Sequence, residues 1–99
     1  MAQALITSLA AANPVPLASQ VTNYRKLTLV GCKGLNGPTL SPNAGPVYIG
    51  NSATAGQQPF IINPGDERNF DAAVGKMEDL QRWFLVVGNN GDGVVASWS

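Results

Sequence analysis

The sequence predicts an all-β fold, a single antiparallel β-sandwich of about seven strands, on three observations. Eleven glycines and seven prolines punctuate the whole chain. Beyond residues 1–12, no long segment escapes them with apolar residues at helical spacing. Short apolar runs recur between turn signals about every 8–15 residues. No strand–helix–strand rhythm is present, and the jelly roll is among the sandwich topologies that fit.

The elements follow in order. Residues 1–14 read as an N-terminal arm ahead of a sandwich domain over 15–99. Leu5, Ile6 and Leu9 would share one face of a helix over 1–12, and Asn13-Pro14 ends that segment because a residue before proline avoids the α region. Val15, Leu17, Ser19 and Val21 alternate on one side, with Pro14 and Pro16 restricting the run to a sheet edge or a strand start. Tyr24 to Val30 is a strong strand, with Leu27 and Leu29 on one face and Lys26 and Thr28 on the other. Gly31 and Cys32 extend or bulge it.

Residues 33–46 read as a loop, by virtue of Gly34, Asn36-Gly37-Pro38, Ser41-Pro42-Asn43 and Gly45-Pro46. At about 14 residues it has the length of loops that carry function. Val47-Tyr48-Ile49 is a short strand closed by Gly50-Asn51. Residues 52–58 form a second exposed loop, and Phe60-Ile61-Ile62 is the next strand. Asn63-Pro64-Gly65-Asp66 fits a type II turn, since proline presets φ at the second position and glycine accepts positive φ at the third. Glu67 to Asp71 follows as a polar strand with Phe70 inward. Met77 to Gln81 suggests one helical turn before the most apolar strand, Arg82 to Val87. Asn89-Asn90-Gly91-Asp92-Gly93 reads as a hairpin turn to the closing strand, Val94 to Trp98.

Charge narrows the partners. Only 12% of residues are charged, and six Lys and Arg balance six Asp and Glu. Electrostatic attraction to nucleic acid or to an anionic membrane needs a basic surplus, so neither is an expected partner. A low-charge surface is cheaper to desolvate against other protein. No apolar run reaches the roughly 18–20 residues of a membrane span. The start resembles a signal peptide in its small and apolar residues, but lacks a basic n-region because the first cation is Arg25.

Catalytic apparatus is not expected. The chain contains no histidine, the commonest general base and metal ligand. Cys32, the single cysteine, has no base to activate it and reads as a buried small residue. Asp66-Glu67 and Glu78-Asp79 are the candidate acid pairs. Asp66 and Glu67, as strand neighbours, point to opposite faces, whereas Glu78 and Asp79 could sit side by side on a helical turn near Lys76 and Arg82; both pairs read more simply as solvated surface charge. Asp92 is the only acid in the 89–93 turn, too few for a calcium site. The glycine-rich run 88–93 lacks the lysine and helix of a phosphate loop. No cofactor or metal is expected. Trp83 and Phe84 are consecutive, so one of them leaves the core side of a strand, and Trp98 near the end is a further interface anchor.

The order of several motifs carries a resemblance over about residues 15–98. Val47-Tyr48-Ile49-Gly50, Asn63-Pro64-Gly65-Asp66-Glu67, and Val86-Val87-Gly88 with Gly91-Asp92-Gly93-Val94 follow Val15-Pro16-Leu17 and Arg25-Lys26-Leu27-Thr28-Leu29. In that order they resemble a group of small virion structural proteins of tailed bacteriophages. The Ala-rich first 14 residues and the 33–46 loop depart from its pattern. The resemblance implies a head decoration, cement or fibre-base protein, made in the host cytoplasm and located in the virion at the capsid surface or head–tail region. It implies a homo-oligomer, commonly a trimer, bound to the major capsid or another virion protein, with no catalytic residues. Leu5, Ile6, Leu9, Trp83 and Trp98 are the expected interface residues. The alternative is a tail- or fibre-associated module binding a host surface carbohydrate, although loops 33–46 and 51–58 contain no aromatic residue to stack on a sugar.

Overall fold

In the computed structural model, residues 2–8, 10–36 and 39–99 are described. They form twelve short strands: β1 (Ala2–Thr7), β2 (Val15–Pro16), β3 (Asn23–Tyr24), β4 (Leu27–Val30), β5 (Cys32–Asn36), β6 (Thr39–Pro42), β7 (Val47–Gly50), β8 (Phe60–Ile62), β9 (Glu67–Asn69), β10 (Glu78–Asp79), β11 (Phe84–Val87) and β12 (Gly93–Trp98). A single 3-10 turn, Leu80–Arg82, precedes β11.

The fold is an all-β sandwich with antiparallel pairing. One four-stranded sheet has the order β1-β12-β4-β9 and the other β2-β11-β7-β8. Two ribbons, β3 with β10 and β5 with β6, complete it. Of the eight strands in the large sheets, the first pairs with the last, the second with the seventh, the third with the sixth and the fourth with the fifth. One long hairpin rolled over on itself gives this order, and it forces the chain to cross between the two large sheets at every connection between these eight strands except that from β7 to β8.

Alternation of side chains builds the core between the sheets. Leu27 and Leu29 of β4, Val47 and Ile49 of β7, Leu85 and Val87 of β11, and Val94 and Ala96 of β12 are all buried in one cluster. Each large aliphatic side chain withdrawn from water contributes about 1.5–3 kcal/mol. Asn63 to Asp66 makes the expected turn: Gly65 has φ 79°, and Asp66 N–H donates to the Asn63 carbonyl at 3.0 Å.

Four local expectations are corrected. Residues 2–7 are not helical; they run as β1 against all six residues of β12. A helix this short is marginal in water, whereas the β12 edge satisfies its backbone groups directly. The segment 33–46 is not an open loop, because β5 and β6 pair across most of it, with a register shift between Cys32 and Gly34. Glycine and proline content hid this hairpin, because both residues are depleted in strands. Residues 89–93 do not close a hairpin: β11 and β12 lie in different sheets, so the segment is an inter-sheet corner. The helical turn falls at 80–82 rather than 77–81, because Glu78 and Asp79 pair with Tyr24 and Asn23.

Candidate assembly surface

The sheets end in four edge strands, and their chemistry differs. β9 is three residues long and carries Glu67 and Arg68. β2 is two residues long, with Pro14 and Pro16. β8 follows Pro59, and the Arg68 guanidinium donates to the Ile61 carbonyl at 3.2 Å, occupying an acceptor of that edge. Charge, proline, brevity and side-chain cover are the devices by which proteins blunt an edge. β1 has none of them. It is six residues long, Ala-Gln-Ala-Leu-Ile-Thr, and no charged residue occurs before Arg25. Among the described residues, the only main-chain partner of residues 2–7 is β12.

A buried polar corner holds this strand in place. Ser8 N–H donates to the Asp92 carbonyl at 3.0 Å, and Gly91 N–H donates to the Ser8 carbonyl at 2.7 Å. The Asp92 carboxylate, 1% exposed, accepts the N–H groups of Ala44 at 2.9 Å and Gly45 at 3.1 Å. Asn43, also buried, bonds through its side chain to both main-chain groups of Gly93, continuing the β12 ladder on the side away from β1. Asn90 Oδ1 accepts the Ala11 N–H at 2.8 Å. The corner ties the start of the chain to the 43–45 segment and to β12. Sequence reasoning singled out neither Asn43 nor Asp92 for this; an Asp between two glycines was the available signal.

The expected interface residues are dispersed. Leu5 is 40% exposed on the outer face of the first sheet, opposite Val95, which is in turn opposite Val30. Ile6 turns inward and packs, half-buried, against the core. Leu9 lies outside the described residues. Trp83 is half-buried in an aromatic cluster at the opposite edge. Its ring centroid is 5.1 Å from Phe70 and 6.3 Å from Phe60, and Phe60 meets Phe70 edge-on at 5.3 Å. The indole N–H donates to the Tyr24 hydroxyl at 2.8 Å, and Arg68 lies over the Phe60 ring at 5.1 Å. Trp98, half-buried, packs against the core from β12 and pairs with Ala2 and Leu27. Leu5 and Ile6 therefore share one edge, while Trp83 stands apart in the aromatic cluster.

Of the candidate acid pairs, only the Asp79 side chain has a structural role among the described residues. The Asp79 carboxylate accepts the N–H groups of Thr22 at 2.9 Å and Gln81 at 3.0 Å, capping the 3-10 turn. Those two bonds, led by Thr22 and helped by Arg82, hold it below its ordinary range. Glu78, Asp66 and Glu67 face solvent. Cys32 is buried, and burial pushes its thiol up. A shallow depression of about 410 Å³ lies on the outer face of the second sheet, where Tyr48 and Val86 meet Ala12, Gly56 and Gln58.

No family model, curated protein or solved structure matches this chain.

Proposed function

We propose that the protein is a non-catalytic structural component of a phage particle, a capsid decoration or cement protein that acts by self-association and adhesion to a virion neighbour. The observation that carries the reading is the β1 edge: long, uncharged and unpaired on its outer side among the described residues. Such an edge is a template for another chain, and in a particle many weak seams add through avidity. The strand order supports it by analogy, since it is like that of the jelly rolls used by viral capsid and lectin domains alike. The motif order over 15–98 supports the virion placement.

Purified particles test this. Mass spectrometry should find the chain in stoichiometric amounts, and added protein should bind particles stripped of it. Absence from particles, with no rebinding, would remove the reading.

The depression beside Tyr48 favours a second reading, a carbohydrate-binding module, because the Tyr48 ring lines an outer-face depression where a sugar could stack. A glycan array in which binding disappears with Tyr48→Ala would establish it in place of the first.

A further inference from the structure

We propose that β1 is the seam of a twofold-symmetric dimer of this chain, in which the β1 edges of two copies pair antiparallel about Leu5 and join two sheets into one. The proposal rests on reading the protein as an assembly component, and it narrows the partner to a second copy in a stated register.

The hydrogen-bonding direction of each β1 residue follows from its neighbours. Gly93 spends its N–H and carbonyl on Asn43, so both point away from β1. Antiparallel strands alternate, so β12 meets β1 through Val94, Ala96 and Trp98, and their partners Ile6, Ala4 and Ala2 bond inward. Ser8 bonding to Asp92 and Gly91 continues the same alternation. Gln3, Leu5 and Thr7 are left with outward main-chain groups, and all three side chains are exposed.

That strip is complementary to itself. Antiparallel pairing centred on Leu5 sets Leu5 against Leu5, Gln3 against Thr7, and Ala4 against Ile6 of the second copy. The outward residues fall opposite one another as hydrogen-bonded pairs. On the outer face the Gln3 amide meets a Thr7 hydroxyl, and the two Leu5 side chains cover each other. On the inner face the small Ala4 leaves room for the half-buried Ile6. No charge opposes the contact, and the five paired residues 3–7 of each strand, at about 3.4 Å each, give a seam about 17 Å long. The other three edges are blocked by proline, charge or the Arg68 guanidinium, which singles out β1. A twofold seam makes the building unit a dimer, in place of the trimer that the phage resemblance implies.

Sedimentation of the full chain over a concentration series should show a monomer passing to a dimer. Amide hydrogen exchange gives the register: Gln3, Leu5 and Thr7 should exchange quickly when dilute and slowly when concentrated, whereas Ala4 and Ile6 stay protected in both. Leu5→Lys sets like charges opposite each other and should weaken the dimer at least about tenfold. Leu5→Pro removes an outward N–H that β12 does not use and should abolish it. Ile61→Lys, on the blocked β8 edge, should leave the mass unchanged. A monomer at every concentration, a trimer, or a dimer with equal exchange at all five amides would overturn the seam, and the exchange experiment needs no variant to fold. A monomer that is found in particles would sink this inference alone; a dimer absent from particles would sink only the virion reading.

Discussion

Asn43 stands in for a strand at Gly93. Its Nδ2 donates to the Gly93 carbonyl at 2.8 Å, and its Oδ1 accepts the Gly93 N–H at 3.0 Å. β4 ends at Val30, opposite Val95, so the side chain supplies the next rung of the ladder. Asn43→Ala leaves both main-chain groups of Gly93 buried without partners. Each orphan costs about 1–3 kcal/mol, so a loss of about 2–6 kcal/mol is expected in urea unfolding. Asn43→Asp keeps an acceptor for the N–H but faces the carbonyl with an oxygen, and should also destabilise. Wild-type stability in either variant would show that water replaces the side chain at no cost.

Gly93→Ala tests how closely β1 approaches. A Cβ at this position would collide with the Ile6 carbonyl and lie 2.9 Å from the Thr7 Cα. Both are backbone atoms and cannot rotate away, so β1 and β12 must separate locally. A cost of about 1–3 kcal/mol is expected, of the size seen when a packed site is overfilled. Amide exchange should accelerate most in residues 2–8 and least in β4. An even acceleration over the whole chain would mean that β1 does not open separately.

The parts of this fold that were legible share a physical reason. Leu27 and Leu29, and Phe70, were readable as inward because side-chain period and turn chemistry are local. The turn at 63–66 was readable because Pro64 fixes φ at the second position and Gly65 accepts the positive φ that the third requires. The destination of a strand is not local. Val94–Trp98 follows a turn-like run after Phe84–Val87, yet it pairs with residues 2–7 and 27–30, which no spacing within 84–98 encodes. The β5–β6 hairpin was hidden because Gly34 and Pro42 weaken every strand signal around them. The candidate edge was half visible: Leu5 and Ile6 stood out as apolar, but the helix-friendly alanines around them concealed Gln3 and Thr7 as partners in the same strip.

The Tyr24 hydroxyl links the β3 ribbon to the aromatic cluster by accepting the Trp83 indole N–H. Burial pushes its pKa up to about 12, against the N–H that lowers it, with Glu78 and Asp71 adding to the rise. An acid that grips its proton more tightly when folded stabilises the fold below its unfolded value near 10. It surrenders that stabilisation as pH climbs from there toward 12. Stability should therefore fall through this alkaline window, and one step of the tyrosinate absorbance titration should be late and vanish in Tyr24→Phe. That variant also orphans the indole N–H, so it should be less stable at neutral pH by about 1–3 kcal/mol. A Tyr24 step near 10 in the folded protein would contradict the burial.

Asp79 predicts the opposite limb. Its carboxylate is held below the ordinary value of 3.8 by the Thr22 and Gln81 N–H groups and by Arg82. The stabilisation is complete above that value and is lost as pH falls through the lowered one. Asp79→Asn retains an acceptor for the two N–H groups but cannot titrate. It should flatten the acid limb of a stability profile while changing neutral stability less than Asp79→Ala does. An acid limb unaltered by Asp79→Asn would assign that limb to other carboxylates.

Cys32 reports on the layer outside the sandwich. It is 2% exposed at the start of β5, as is Val95 of β12, yet neither belongs to the main core cluster. β5 lies against β12 and β1, so these side chains form a second, smaller apolar layer under the β5–β6 hairpin. A thiol reagent needs both access and a thiolate, and burial removes the first and raises the pKa that governs the second. Labelling of the native protein should be at least about 100-fold slower than in denaturant. The hairpin rests on one sheet face and has its own ladder, so it can open without the sandwich unfolding. In that case the labelling rate stays flat at low urea and rises only near the global transition. A rate that climbs steeply from the first addition of urea would instead bind the hairpin into the same cooperative unit as β1 and β12, and Gly93→Ala would then accelerate labelling in proportion to its loss of stability.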